Sequence, residues 1–199
     1  MRSLFSLYNS HLDFVHQWLE RFLQPGMIAI DATVGNGHDL FKIASLLLKD
    51  PKSQVYGYDI QKEALEKSQA RLKEAFSEEE FSRIQWIHAS HEAFPEDLEV
   101  DCVVYNLGYL PGGDKSVTTK TEKTLVSLKN ALAILKPGGI VFVTCYPGHE
   151  EGALELEALL SWSETLNPGQ FSSSHLAITN REKAPQVLII QKATSLDIS

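Results

Sequence analysis

The sequence predicts a single α/β domain: a mostly parallel seven-stranded sheet, helices on both faces and an antiparallel pair at one edge. Three observations predict it. Short apolar runs alternate with apolar stripes at helical spacing from end to end. A glycine loop, Val34-Gly35-Asn36-Gly37, joins the first run to the stripe that follows it. The last two runs are joined by the polar turn Asn180-Arg181-Glu182-Lys183. Repeated strand–helix units need crossover helices and so a parallel sheet. A short turn between two strands reverses the chain.

Each element follows in order. Leu12, Val15, Leu19 and Phe22 recur at helical spacing and Pro25-Gly26 stops that helix, so residues 1–25 read as a helical segment packed on the domain. Met27 to Asp31 is the first strand. Asp39 to Lys49 is a helix carrying Leu40, Ile43, Ala44 and Leu47. Gln54 to Asp59 is the second strand; Leu65, Ser68, Leu72 and Ala75 mark the next helix; Ile84 to His88 is the third strand. Asp101 to Asn106, nearly all apolar, is a fourth strand covered on both faces. Leu125, Leu128, Leu132 and Leu135 form a helical stripe ended by Lys136-Pro137-Gly138-Gly139, and Ile140 to Cys145 is the fifth strand. Ala153, Leu156, Leu159 and Leu160 mark a last helix before the strands His175 to Thr179 and Gln186 to Gln191.

Composition is that of one ordinary globular domain of 199 residues, 43% hydrophobic and 22% charged. No apolar run approaches the ~20 residues of a membrane helix, and Met1 to His11 lacks the pattern of a secretory signal, so the expected location is the cytoplasm. Cys102 and Cys145 lie in apolar runs and read as reduced core thiols. His11, His16, His38 and His175 have no metal-ligand spacing, so no metal is expected. A net charge of -8 speaks against a protein coated in basic surface, though not against a local basic patch.

In such sheets ligands sit beyond the carboxyl ends of the strands, which directs attention to Asp31, Asp59, His88, Asn106 and Tyr146. Glycines at the first strand-to-helix turn let backbone approach a ligand closely. Asp59 ends the next strand, where an acid can accept both ribose hydroxyls. A phosphate-binding P-loop is excluded, because Gly37 is followed by His38-Asp39 and not by Lys-Ser/Thr. A dinucleotide fingerprint wants a glycine or alanine where Leu40 stands, and Asp39 at the helix start would repel a pyrophosphate. S-adenosylmethionine carries no phosphate and escapes that objection.

On Asp31-Ala32-Thr33-Val34-Gly35-Asn36-Gly37, Asp59 and the Lys136-Pro137-Gly138-Gly139 turn, the chain resembles the class I S-adenosylmethionine methyltransferases, with their Rossmann-like fold. The resemblance implies that Asp31, Gly35 and Gly37 surround the methionine part of that cofactor and that Asp59 holds its ribose. Thr33 stands where many members have glycine. The third strand is followed by His88-Ala89-Ser90-His91, where this fold commonly contacts adenine, although Ser90 as a helix cap is the simpler account. The cofactor set expected on this basis is Asp31, Thr33, Gly35, Asn36, Gly37, Asp39, Asp59, Ile60, Ser90, His91 and Asn106.

A closer resemblance, to a small family labelled rRNA methylases with YtqB-like members, rests on three stretches. They are Asp31 to Asp39, the run Asn106-Leu107-Gly108-Tyr109-Leu110-Pro111-Gly112-Gly113-Asp114-Lys115, and Tyr146-Pro147-Gly148-His149-Glu150-Glu151-Gly152. It implies a tRNA methyltransferase acting on the wobble uridine, converting 5-aminomethyl-2-thiouridine to the methylaminomethyl form. The alternatives are an rRNA methyltransferase, a small-molecule amine methyltransferase, a non-catalytic cofactor-binding regulator and, weakest, a nicotinamide oxidoreductase.

Asn106-Leu107-Gly108-Tyr109 occupies the place of the Asn-Pro-Pro-Tyr type motif of amino-directed nucleic-acid methyltransferases. Methyl transfer from a sulfonium is an in-line displacement by a nitrogen lone pair. The Asn106 amide oxygen can accept an N–H and aim that lone pair, and Tyr109 can stack on a base, or else pack in the core. An alkylamine must also lose a proton. His149, Glu150 and Asp114 are candidate bases, while His149-Glu150 reads equally well as a helix start. Lys115, Ser116, Thr118 and Thr119 line this loop or cap a helix. Lys115, Lys120, Lys123, Lys129 and Lys136 are either an RNA-facing patch or a solvated helix face. For tRNA to bind so acidic a protein, basic side chains must gather beside the site or a homodimer must build a joint surface.

Overall fold

The computed structural model describes residues 9–107, 121–181 and 183–194. The elements are α1 (His11–Phe22), β1 (Ile28–Asp31), α2 (His38–Leu47), β2 (Gln54–Asp59), α3 (Lys62–Lys73), α4 (Glu78–Ser82), β3 (Ile84–His88), β4 (Val100–Asn106), α5 (Thr121–Ile134), β5 (Leu135–Cys145), α6 (Glu150–Glu164), β6 (Phe171–Leu176) and β7 (Gln186–Lys192). Among the described residues no helix is long and apolar enough to cross a membrane.

The seven strands form one sheet in the order β3-β2-β1-β4-β5-β7-β6. β1 to β5 are parallel, and β7 runs antiparallel to both β5 and β6, which is the edge pair the sequence predicts. The chain winds outward from β1 to β3 and then returns to β4, the other neighbour of β1. That reversal opens a crevice at the carboxyl ends of β1 and β4, bounded by Asp31 and Asn106.

The central strands alternate their side chains between two cores. On β4, Val103 and Tyr105 face one core and Cys102 and Val104 the other. On β5, Val141 and Val143 face the first, and Ile140 and Phe142 the second. The first core is closed by Leu128, Ala131 and Leu132 of α5 with Leu156 and Leu159 of α6. The second is closed by Val15 and Leu19 of α1, Leu40, Ile43 and Leu47 of α2, and Leu65 and Leu72 of α3. Burial on both faces is why these strands read as unbroken apolar runs. Both cysteines are free and buried.

Three expectations are corrected. Leu135, counted with the helical stripe, begins β5 and pairs with Val100. The register then shifts, so that Ile140 pairs with Cys102 and Lys136 to Gly139 form a bulge within β5. Gly138 has φ +80, and a Cβ on Gly139 would lie 3.0 Å from the Asp101 carbonyl oxygen, so the turn before the long strand demands these glycines. β6 begins at Phe171 and ends at Leu176, earlier than the expected His175 to Thr179; its serines sit at a sheet edge, where ladder bonds to β7 and not burial define the strand. The five-residue α4 was not foreseen, although the capping box of Ser77 and Glu80 that starts it is visible in the sequence.

Candidate active site

β1 delivers Asp31 to the crevice at 1% exposure. Its Oδ1 accepts the Thr33 N–H at 3.0 Å, while its Oδ2 is buried with no partner. Burial first, then the Asp39 carboxylate, pushes the Asp31 carboxyl well above its ordinary range. A buried carboxyl with an orphaned oxygen beside a second acid is suited to a cation.

The loop after Asp31 is shaped by Gly35 at φ +49 and Gly37 at φ +73. Gly37 caps α2 in the left-handed region, and a Cβ there would lie 2.7 Å from Ser68 Oγ. The same Ser68 hydroxyl donates to the Gly35 carbonyl at 2.9 Å and so ties the loop to α3. The Gly35 N–H donates to Asp59 Oδ2 and the Gln61 N–H to Asp59 Oδ1, both at 2.8 Å. Two backbone donors thus fix the half-buried Asp59 carboxylate and leave each oxygen a lone pair for another donor. Beside it Ile60 is 51% exposed, an apolar surface at the mouth of the crevice. Asn36 is exposed, and its carbonyl accepts from Arg71 at 3.3 Å.

β4 delivers Asn106, whose backbone N–H donates to the Thr33 hydroxyl at 2.7 Å. Its side chain sits at the centre of a polar chain. Asn106 Nδ2 donates to Asp39 Oδ2 at 3.2 Å, and Asp39 Oδ1 lies 2.7 Å from His16 Nε2. On the other side Tyr146 Oη donates to Asn106 Oδ1 at 2.7 Å and lies 2.9 Å from His11 Nε2. The partners define the amide orientation, because a flipped Asn106 would set its oxygen against the Asp39 carboxylate. Burial, then the Asp39 charge, pushes the Tyr146 hydroxyl up to about 12, so it keeps its proton at physiological pH. Burial also lowers the His11 imidazole, against the opposing pull of Asp39 and Asp13.

Both histidines come from α1, which places the N-terminal helix over the crevice. Their spacing in the sequence points to no metal and to no other role. A signal was available: they lie one helical turn from Val15 and Leu12 on the apolar stripe, where polar side chains need buried partners.

Other expected residues fall elsewhere. His149 is the N-cap of α6, its Nδ1 accepting the Gly152 N–H at 3.1 Å, with Glu150 and Glu151 in the first turn. That is the helix-start geometry weighed against a role as base. A Cβ on Gly152 would lie 2.1 Å from the Tyr146 carbonyl oxygen, so this glycine lets α6 press against the Tyr146 backbone. Ser90 caps no helix; it lies in irregular chain and donates to Glu92 Oε1 at 2.7 Å. His91 packs edge-on against Tyr105, with centroids 5.6 Å apart and Nδ1 buried without a partner. Burial lowers its imidazole pKa. Lys123 pairs with Glu92 at 2.6 Å, and Lys136 pairs with Asp101 at 2.9 Å at the amino end of β5, far from the crevice, which removes Lys136 from any patch beside the site. Tyr109, Asp114, Lys115, Ser116, Thr118, Thr119 and Lys120 lie outside the described residues.

Comparison with known proteins places this site in context. The model of the family described as "Putative rRNA methylase" matches residues 55–192. The tRNA (mnm(5)s(2)U34)-methyltransferase, chloroplastic, of Arabidopsis thaliana is 35% identical over 187 residues, which span 90% of this chain and 68% of the relative. Two crystal structures are also similar. One is described as a "putative rRNA-methylase" from Clostridium thermocellum, 30% identical, with a TM-score of 0.85, covering 92% of this chain and 97% of that one. The other is described as "a putative methyltransferase" from Streptococcus mutans in complex with SAH, 27% identical, with a TM-score of 0.77, covering 91% and 97%. On the family match and the 35% identity, this chain belongs to the rRNA methylase family and is a methyltransferase.

Proposed function

We propose that this protein is an S-adenosylmethionine-dependent RNA methyltransferase whose substrate is the primary amine of 5-aminomethyl-2-thiouridine at the tRNA wobble position. The observation that carries the reading is the clamped amide of Asn106, held from both sides at the switch point of the sheet. The name of the Arabidopsis thaliana relative supplies the nucleoside, and the SAH in the Streptococcus mutans structure supports the cofactor.

The residues present fit S-adenosylmethionine. The orphaned Asp31 Oδ2 suits an ammonium group, and the neighbouring Asp39 adds negative potential for a second positive centre. Asp59, its geometry set by two backbone donors, has acceptors left for the two ribose hydroxyls. Ile60 offers an apolar surface to a purine, and His91 Nδ1, on a ring that feels the Asp59 charge, a buried polar atom. When bound, the cofactor supplies a sulfonium methyl group open to attack by a nucleophile.

Asn106 Oδ1 accepts from Tyr146 with one lone pair, leaving the other for an amine N–H. An N–H held there turns the nitrogen lone pair toward the methyl group, and orientation of this kind lowers the barrier without acid–base chemistry. Tyr109, three residues on, would supply the ring for the uridine to stack upon. The deciding experiment incubates purified protein with labelled cofactor and tRNA lacking only the final methyl group, then analyses nucleosides by mass spectrometry. Methylaminomethyl-thiouridine is the expected product. Label in rRNA and not in that tRNA, or in a free amine alone, would overturn the substrate.

A further inference from the structure

We infer that His11 is the proton acceptor for methyl transfer to the amine, reached through the hydroxyl of Tyr146. The inference rests on the amine substrate proposed above and names the group that removes its proton.

The geometry is a three-member chain. His11 Nε2 is 2.9 Å from Tyr146 Oη, and Tyr146 Oη is 2.7 Å from Asn106 Oδ1. The His11 and Tyr146 rings meet edge-on, with centroids 5.3 Å apart and an interplanar angle of 83°, so packing as well as hydrogen bonding holds them. A tyrosine hydroxyl has one proton and a rotor that can serve either neighbour. With the imidazole proton on Nε2, His11 donates to Tyr146 Oη and the hydroxyl serves Asn106; with it on Nδ1, Nε2 is an acceptor, and the relay uses that tautomer. An ammonium docking at Asn106 Oδ1 brings its own N–H to that oxygen. A second N–H of the ammonium, donated to Tyr146 Oη, turns the hydroxyl from Asn106 Oδ1 toward His11 Nε2.

The step balances. One proton passes from the ammonium nitrogen to Tyr146 Oη as the hydroxyl proton passes to His11 Nε2. Tyr146 is unchanged, His11 becomes imidazolium, and the amine gains its lone pair. That pair bonds to the methyl carbon as the carbon–sulfur bond breaks, with the bonding electrons staying on sulfur. The product is a methylammonium and a neutral thioether, and His11 returns its proton to water.

The groups facing His11 fit the role. They are Asp13 and His16 on its own helix, Asp39 at the start of α2, and Tyr146 after β5. Burial keeps the resting imidazole neutral at physiological pH, and the Asp39 and Asp13 carboxylates favour the imidazolium once it forms. The competing base His149 has its Nδ1 engaged in capping α6.

The test is the pH dependence of kcat/KM for the tRNA substrate in wild type and His11→Gln, with affinity for S-adenosylhomocysteine measured in parallel. Glutamine can still hydrogen bond to Tyr146 but cannot take a proton. Wild type should show a plateau between the imidazole and amine titrations. His11→Gln should lose about 100-fold at pH 7, then climb tenfold per pH unit as the amine deprotonates unaided, closing the gap at alkaline pH. S-adenosylhomocysteine affinity within threefold of wild type would show an intact fold. A His11→Gln profile parallel to wild type overturns the relay while leaving the substrate standing. A wild-type protein that leaves the amine unmethylated overturns the substrate, and the relay with it.

Discussion

Thr33 and Asn106 are joined by a 2.7 Å hydrogen bond from the Asn106 backbone N–H to the Thr33 hydroxyl. The bond crosses from the glycine loop to the end of β4 and couples the half of the site proposed to hold the cofactor to the half proposed to hold the substrate. Thr33→Val keeps the shape and removes the acceptor. The orphaned N–H should cost about 1–3 kcal/mol of stability, measured by chemical denaturation. Turnover should fall more than cofactor affinity, since the displaced group is Asn106. An unchanged kcat would show that β4 alone positions the asparagine.

Asp59→Ala removes the acceptor for two backbone N–H groups as well as the proposed ribose contacts. Calorimetry with S-adenosylhomocysteine should show affinity reduced by at least about 100-fold, the loss of two charge-assisted bonds at roughly 1.5 kcal/mol or more each. Undiminished affinity would remove Asp59 from the cofactor site.

Much of this was legible in the sequence, and the boundary has physical causes. Asp31, Asp59 and Asn106 could be found because a parallel sheet fixes where strand ends lie, and strand ends follow from apolar runs alone. The site's other half was not legible. His11 and His16 lie 95 and 90 positions before Asn106, so only the packing of α1 over the crevice brings them to it. Leu135 was misplaced for a related reason: one apolar side chain satisfies a helical stripe and a strand start equally, and the pairing with Val100 decides. Thr33 reads as a departure from glycine at a cofactor contact, and its bond to the Asn106 N–H depends on a strand 73 positions away.

Asn106→Ala should abolish turnover, by at least about 100-fold in kcat, with cofactor affinity changed little. Asn106→Asp is the sharper variant. It keeps the size and the acceptor but sets a carboxylate against Asp39, 3.2 Å away, where the amide now donates. It should therefore recover no activity at neutral pH. Wild-type rates in single-turnover assays of either variant would make Asn106 a structural residue.

Gly152→Ala should destabilise the protein by about 2–3 kcal/mol, because the new Cβ would lie 2.1 Å from a backbone oxygen that cannot rotate away. That oxygen belongs to Tyr146, so the shift should also reach the Asn106 contact and lower kcat. Thermal denaturation checks the first effect and single-turnover kinetics the second. Wild-type behaviour in both would mean that α6 can slide without moving Tyr146.

The unusual state of Asp31 makes cofactor binding a proton-linked event. Its carboxyl titrates well above 3.8 in the folded protein, mainly because it is buried and faces Asp39. Between the unfolded and folded values the native state holds a proton that the unfolded chain has released, so Asp31's contribution to stability falls as pH rises through that window. An ammonium group against Oδ2 reverses the preference by favouring the carboxylate. Binding of S-adenosylhomocysteine within the window should then release a proton. Calorimetry in buffers of differing ionisation enthalpy reads that release directly, as a slope of apparent enthalpy against buffer enthalpy. Asp31→Asn, which has no proton to lose, should flatten the slope and weaken binding. A slope that survives in the asparagine variant would assign the proton to another group and remove Asp31 from the ammonium site.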